Sequence, residues 1–303
     1  MEPVEVAFTS DGLRLAGQLW LPDAPAPHPA LVLTGPFTGV KEQVVGRYAE
    51  ALATHGLAAL AFDHRRWGNS EGLPRQDEWS GGKLADLRDA VTMLTTRAEI
   101  DAARIGGVGI CLGGGYAVRA AAADPRIRAV ATVAGCFNDP RAFRDGMGAD
   151  GYRSVLTSFA EQLTADAELG EVAVLPAVSD EGEAAMPGDE PFAYYGSSRG
   201  AAVGWTNQVT RRSIRELLTF DAAAAAELLP PTPLLVIHGR RDDYCDPGAA
   251  EAFARRHGDA EVRWLDAKQH IDLYDIDRFV DDAVKQLADW FAAHLPEAAE
   301  PVT

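Results

Sequence analysis

Two β-like runs, Val4–Thr9 and Leu13–Leu21, flank Ser10-Asp11-Gly12 at the start of the chain. Asp-Gly between such runs is a strong hairpin signal, because these residues tolerate the positive φ that tight hairpin turns need. After a Pro/Ala connection, Ala30–Thr34 reads as a short strand ending in the turn-rich loop Gly35-Pro36-Phe37-Thr38-Gly39. The spacing then becomes helical over Val44–His55, with Val45, Tyr48, Ala49 and Leu52 on one side and Gly56 placed as a C-cap. Leu57–Phe62 is apolar throughout, as a parallel strand covered on both faces is. The alternation continues through helix Lys83–Arg97, strand Arg104–Ile110, helix Leu112–Ala123 and strand Ala129–Ala134. It resumes with strand Leu234–His238, helix Pro247–His257, strand Glu261–Leu265 and helix Ile276–His294. Such a chain predicts an α/β fold, a mostly parallel sheet with helices on both faces.

The stretch from Cys136 to Leu229 breaks the alternation. It has no clear buried strand, a polar segment at Ser179–Glu190, and an aromatic cluster of Phe192, Tyr194, Tyr195 and Trp205. It is too long for a plain loop. It reads as a helical or irregular cap insertion (136–229) over the carboxyl edge of a sheet built from residues 1–135 and 230–303. Asp221–Leu229 reads as one Ala-rich helix, and Pro296–Thr303 as a frayed tail.

Composition narrows the partners. With 45 acidic and 28 basic side chains among 303 residues, the formal net charge is −17. Nucleic acid and anionic membranes need a basic face, so neither is expected as a partner. No apolar run approaches the roughly 18 residues of a membrane span. Met1-Glu-Pro-Val-Glu5 lacks the basic and apolar regions of a signal peptide. The expectation is a cytoplasmic protein, its oligomeric state left open. Three cysteines, Cys111, Cys136 and Cys245, match no zinc or CxxC spacing, so neither a disulfide framework nor a metal site is expected. A dinucleotide reading of the glycines fails as well, because Leu112 stands where the pattern after Gly107-x-Gly109 needs glycine.

The chemistry lies in Gly109-Ile110-Cys111-Leu112-Gly113-Gly114, between a predicted strand and a predicted helix. This is a G-x-nucleophile-x-G elbow with Cys in place of the usual Ser. The turn is strained, so its flanks must lack bulky side chains, and the helix N-terminus favours a thiolate. The partners follow in the required order of nucleophile, acid and histidine. Asp242 follows the buried strand ending at His238-Gly239, and His270 follows the last strand, 28 residues later. All three fall at carboxyl ends of strands, where open α/β sheets place ligands. Asp243 and Asp246 compete with Asp242 for the acid role. Asp242 is favoured by the His-Gly-x-x-Asp spacing. Cys136 and His238 read as structural, Cys245 as a loop thiol near Asp242 or as pocket lining, and the aromatics Tyr194, Tyr195 and Trp205 as pocket lining or cap core.

These motifs resemble the α/β-hydrolase superfamily. Within it, Gly109–Tyr116 is similar to the dienelactone hydrolase-like branch, which uses a Cys-His-Asp triad. Asp63-His-Arg65-Arg66-Trp-Gly68-Asn-Ser70-Glu-Gly72 matches the superfamily's D-x-R-G-x-G-x-S-x-G turn, with Arg66 standing at a glycine position. The resemblance implies that His270 takes or holds the Cys111 proton, that Asp242 orients the imidazole, and that an acyl-cysteine forms. It also implies an oxyanion hole built from the backbone N–H groups of Leu112 and Phe37, Pro36 having none. Glu42 lies where dienelactone hydrolases carry an assisting glutamate, or it pairs with Lys41. The expected activity is hydrolysis of an ester, lactone or thioester with a small-molecule acyl substrate and no cofactor. A polyketide-type acyltransferase is the neighbouring alternative, and a non-catalytic binding protein on this scaffold is the alternative of another class.

Overall fold

In the computed structural model, which describes residues 1–296, eight strands form a single sheet. They are β1 (Val4–Ser10), β2 (Leu13–Trp20), β3 (His28–Thr34), β4 (Ala58–Phe62), β5 (Ile100–Ile110), β6 (Ile127–Val133), β7 (Leu234–Gly239) and β8 (Glu261–Leu265). Their order is β1-β2-β4-β3-β5-β6-β7-β8. The Asp11-Gly12 turn makes β1 and β2 an antiparallel hairpin, and β2 runs antiparallel to β4. From β4 to β8 every pairing is parallel. The mostly parallel α/β sheet predicted from the alternation is therefore present, in the α/β-hydrolase fold that the resemblance implies. The expected tail lies outside the described residues beyond Pro296.

The helices follow from two-sided burial. All five residues of β4 and all six of β7 are buried, so both sheet faces must be covered. Helices α1 (Val44–Ala53) and α10 (Asp277–His294) pack on one face, against Leu31, Leu33, Ala59 and Ile237. Helices α2 (Ser80–Thr95), α3 (Gly113–Ala123) and α9 (Pro247–His257) pack on the other, against Ala30, Val32, Leu60 and Val236. The period-2 alternation of strand side chains divides one apolar run between two cores.

Between β6 and β7 the chain leaves the sheet. It forms α4 (Pro140–Met147), α5 (Ala149–Leu169), α6 (Asp189–Tyr195), α7 (Ser213–Thr219) and α8 (Ala225–Leu228), with two-residue ladders joining Val174–Leu175 to Val209–Thr210 and Val178–Ser179 to Met186–Pro187. Helix α8 is shorter than the Ala-rich run suggested. The amides of Ala222 and Ala223 donate to the Asn138 carbonyl, and Asp221 accepts from the Ala224 amide at 2.8 Å, so the first turn is held open. Residues 186–205 lie against the carboxyl-end loops. Glu190 accepts from the Ile271 amide at 3.0 Å, Gln43 donates to the Gly200 carbonyl at 2.6 Å, and Arg199 pairs twice with Asp275 at 2.6 Å.

The loop after β3 is fixed by the turn after β4. Asp63 accepts from the Lys41 amide at 2.8 Å, from Lys41 Nζ at 3.1 Å and from the Asn69 amide at 2.8 Å. Arg66 adopts a φ of 74°, which explains the glycine usual at that position. Its guanidinium pairs with Asp77 and lies over the Trp79 ring at 4.9 Å. Ordinary side-chain contacts thus hold a conformation that β-carbon sterics disfavour.

The junction of β5 and α3 is the tightest backbone approach near the site. A Cβ on Gly113 would lie 2.1 Å from the Thr34 carbonyl oxygen, and one on Gly109 would lie 2.2 Å from the Gly113 oxygen. At Gly107 in the same strand the nearest atom would be 3.5 Å away, an ordinary contact. Gly113→Ala is therefore expected to lower stability by at least about 3 kcal/mol in urea unfolding, through overpacking against backbone. Gly107→Ala should change it by no more than about 1 kcal/mol. Equal effects would contradict the packing described.

Candidate active site

Cys111 sits between β5 and α3 with a φ of 57°, in the left-handed region that non-glycine residues rarely enter. Three hydrogen bonds hold it there. Its amide donates to the Val133 carbonyl at 3.1 Å, and its carbonyl accepts from the Gly114 and Cys136 amides, each at 2.8 Å. The turn lifts the side chain out of the sheet at the N-terminus of α3, where unpaired N–H groups and the helix dipole favour negative charge. Cys111 is partly exposed.

The loop after β7 brings Asp242 to this point, and the loop after β8 brings His270. Asp242 Oδ2 lies 2.6 Å from His270 Nδ1. The other carboxylate oxygen accepts from the amides of Tyr244 at 2.9 Å and Cys245 at 2.8 Å, which fixes the rotamer. The competing acids lie elsewhere: Asp243 is exposed, and Asp246 caps α9 by accepting from the Gly248 amide at 2.8 Å. His238 is buried and its Nδ1 lies 3.0 Å from the Gly239 carbonyl, so it belongs to the strand end.

With Asp242 on Nδ1, the opposite nitrogen of His270 faces the sulfur. A ring nitrogen of His270 and the Sγ atoms of Cys111 and Cys245 all lie within 4.8 Å of one another. The Cys111 thiol is held well below its ordinary range by the Cys245 thiol hydrogen bond, which outweighs burial, together with the His270 charge. Burial pushes the His270 imidazole down, yet the Cys111 charge and the Asp242 hydrogen bond carry it well above its ordinary range. Burial raises the Asp242 carboxyl, but the His270 contacts and two amides leave it below the usual range. Over a wide pH window these three shifts favour a thiolate–imidazolium pair backed by a carboxylate.

Of two further neighbours, Tyr274 was not expected from the sequence and Cys245 was expected at most as pocket lining. The Tyr274 hydroxyl lies 2.9 Å from His270 Nε2 and helps to lower the Cys111 thiol. Its position one helical turn after His270 is the signal that was available. Cys245, read from the sequence as an ordinary loop thiol, is buried with its Sγ 3.9 Å from that of Cys111. The Asp242 carboxylate draws it in by accepting its amide.

The predicted pocket residues divide. Tyr194 and Tyr195 are buried, packed edge-on to each other at 4.8 Å and to Tyr274 at 5.2 and 6.4 Å. Trp205 stacks on Tyr195 at 5.5 Å, and its Nε1 donates to Thr38 Oγ1 at 3.4 Å. These aromatics therefore pack as one cluster with Tyr274. Leu112 opens α3 directly after Cys111. Phe37 is buried in the turn closed by the Gly39 amide on the Pro36 carbonyl at 3.1 Å. Glu42 pairs with Lys41, which also binds the buried Asp63. Among the described residues, no helix is long and apolar enough to cross a membrane.

Comparison with known proteins agrees with this architecture. The family model for serine aminopeptidase, S33 matches residues 43–277. Protein PA2218 of Pseudomonas aeruginosa is 32% identical over 296 residues, covering 94% of this chain and 78% of that one. Its crystal structure superposes with a TM-score of 0.86 over 97% of this chain and 94% of that chain, at 29% identity. Thiohydrolase aneE of Aspergillus aculeatus is 32% identical over 251 residues, 80% of this chain and 77% of the relative. Polyketide transferase grgF of Penicillium is 26% identical over 88% of this chain and 89% of the relative. The chain belongs to the serine aminopeptidase S33 family of α/β hydrolases, with a cysteine at the elbow.

Proposed function

We propose that the protein is an acyl-transferring hydrolase that opens a thioester, ester or lactone through an acyl-Cys111 intermediate. The observation that carries this reading is the 2.6 Å contact of Asp242 with His270, on the ring whose far nitrogen faces Cys111. The Gly-x-Cys-x-Gly elbow supports a likeness to the cysteine enzymes of dienelactone hydrolase type. The thiohydrolase and polyketide transferase relatives support thioesters as the acyl source. The net charge of −17 disfavours nucleic acid and anionic membrane as partners.

In the proposed mechanism the Cys111 thiolate attacks the acyl carbonyl. The oxyanion is received by the backbone N–H groups of Leu112 and Phe37. The tetrahedral adduct collapses as His270 Nε2 passes its proton to the departing thiol or alcohol. Tyr274 gives up its hydrogen bond to Nε2 at this step. Water, or an acceptor alcohol or amine, then loses a proton to Nε2 and attacks the acyl-cysteine, and the Cys111 thiolate leaves. Asp242 holds the ring in the tautomer that serves both steps. Hydrolysis and transfer differ only in the second nucleophile.

Turnover of acyl N-acetylcysteamine thioesters, with and without added alcohols and amines, tests the reading. Cys111→Ala is expected to lower kcat/KM by at least about 10³, and Asp242→Asn by about 10²–10⁴ through loss of the productive tautomer. Wild-type turnover no faster than that of Cys111→Ala would instead favour a binding protein on a hydrolase scaffold.

The pKa shifts give a second expectation. Cys111 is lowered and His270 raised, so the ion pair persists from below the ordinary cysteine range up to the point where the imidazolium loses its proton. Iodoacetamide alkylation of Cys111 should therefore remain fast well below the ordinary thiol pKa of about 8.5. In His270→Ala the inflection should move up towards that value. An unmoved inflection would remove His270 as the partner of the thiolate.

A further inference from the structure

Three soft donors converge at the site although no metal motif is visible in the sequence. Cys111 comes from the end of β5, Cys245 from the loop after β7 and His270 from the loop after β8. Their donor atoms all lie within 4.8 Å of one another. The two sulfurs are 3.9 Å apart. Two thiolates on a tetrahedral zinc ion, with Zn–S near 2.3 Å, are separated by about 3.8 Å. The sulfur pair thus already has nearly the spacing of a tetrahedral edge.

The support around the donors also matches. A metal-binding histidine commonly donates its other ring N–H to a carboxylate, which fixes the tautomer and raises its basicity. Asp242 occupies that place on Nδ1 at 2.6 Å and leaves Nε2 to the cluster. Cys245 and His270 are buried while Cys111 is partly exposed, so the cluster has an approach from solvent on one side. Two thiolates and one imidazole favour thiophilic ions over magnesium or calcium, which take oxygen ligands.

We propose that Cys111, Cys245 and His270 form a binding site for one thiophilic divalent cation, zinc above all, and that its occupancy withdraws the Cys111 sulfur from attack. On binding, Cys245 releases its thiol proton to solvent, and so does the Cys111–His270 pair, from Nε2 in the ion pair or from sulfur in the neutral pair. Two sulfur–metal bonds and one nitrogen–metal bond form, and no atom changes oxidation state. Tyr274 loses its 2.9 Å hydrogen bond to Nε2. The metal site depends on donor geometry alone, and only the loss of attack rests on the acyl chemistry proposed above.

Cobalt(II) is the probe, added to the reduced full-length protein under anaerobic conditions. The wild type is expected to take up one equivalent, with the visible bands of a four-coordinate ion and a near-ultraviolet thiolate-to-cobalt band. Zinc should displace the cobalt, and magnesium should not. Cys245→Ala and Cys111→Ala should each halve or abolish the thiolate band, whereas Cys136→Ala should leave it at full intensity. Cys245→Ser repeats the measurement if circular dichroism finds the alanine variant unfolded. A wild type without the thiolate band up to millimolar cobalt would overturn the proposal. So would a full-intensity band in Cys245→Ala, or a halved one in Cys136→Ala.

Discussion

The left-handed turn at Cys111 is the constraint on which the site depends. A non-glycine residue in this region costs of order 1–2 kcal/mol. Here three backbone hydrogen bonds to Val133, Gly114 and Cys136 hold it in place. The turn is possible because Gly109 and Gly113 present no β-carbons where the backbones meet. In return it sets a sulfur above the carboxyl edge of the sheet, at the amino end of an eleven-residue helix. A relaxed turn would rotate that sulfur back towards the strand, away from His270.

The rest of the carboxyl edge is organised by buried charge. Lys41 with Asp63, and Arg65 with Asp86, fix the loops after β3 and β4 around the site. Buried charges are tolerable only when paired and fully hydrogen-bonded. Asp63 and Asp86 each accept from backbone amides as well as from a cation. Asp242 follows the same rule with two amides and an imidazole. A carboxylate held this way cannot rotate, and so it fixes the ring that faces the sulfur. The aromatic group of Tyr194, Tyr195, Trp205 and Tyr274 closes the opposite side and lowers the local polarity, which strengthens the pairing of thiolate and imidazolium.

The core was legible in the sequence because parallel strands covered on both faces must be apolar throughout. Ala58–Phe62 and Leu234–Gly239 show this directly, being buried at every position. The spacing of Cys111, Asp242 and His270 was legible because each follows a recognisable strand, apolar at the ends of β5 and β7 and half-buried in the edge strand β8. The insertion was less so. Helix α5 buries only Asp166, so its sequence carries little apolar period, and α8 is cut short by the Asn138 carbonyl and the Asp221 side chain. Cys245, three residues after Asp242, was legible as a possible pocket residue, but its sulfur contact with Cys111 across 134 residues was not. Arg66 departed from the family's glycine pattern, and the structure reconciles it through a positive φ supported by Asp77 and Trp79.

The central claim is that Cys111 carries the acyl group during turnover. Quenching the protein in acid during reaction with a slowly released aryl thioester, followed by peptide mass mapping, tests it most directly. One acyl group per chain is expected on the peptide containing Cys111, with none on Cys136 or Cys245. An acyl group on another residue, or turnover with no acylated peptide at any time point, would contradict it.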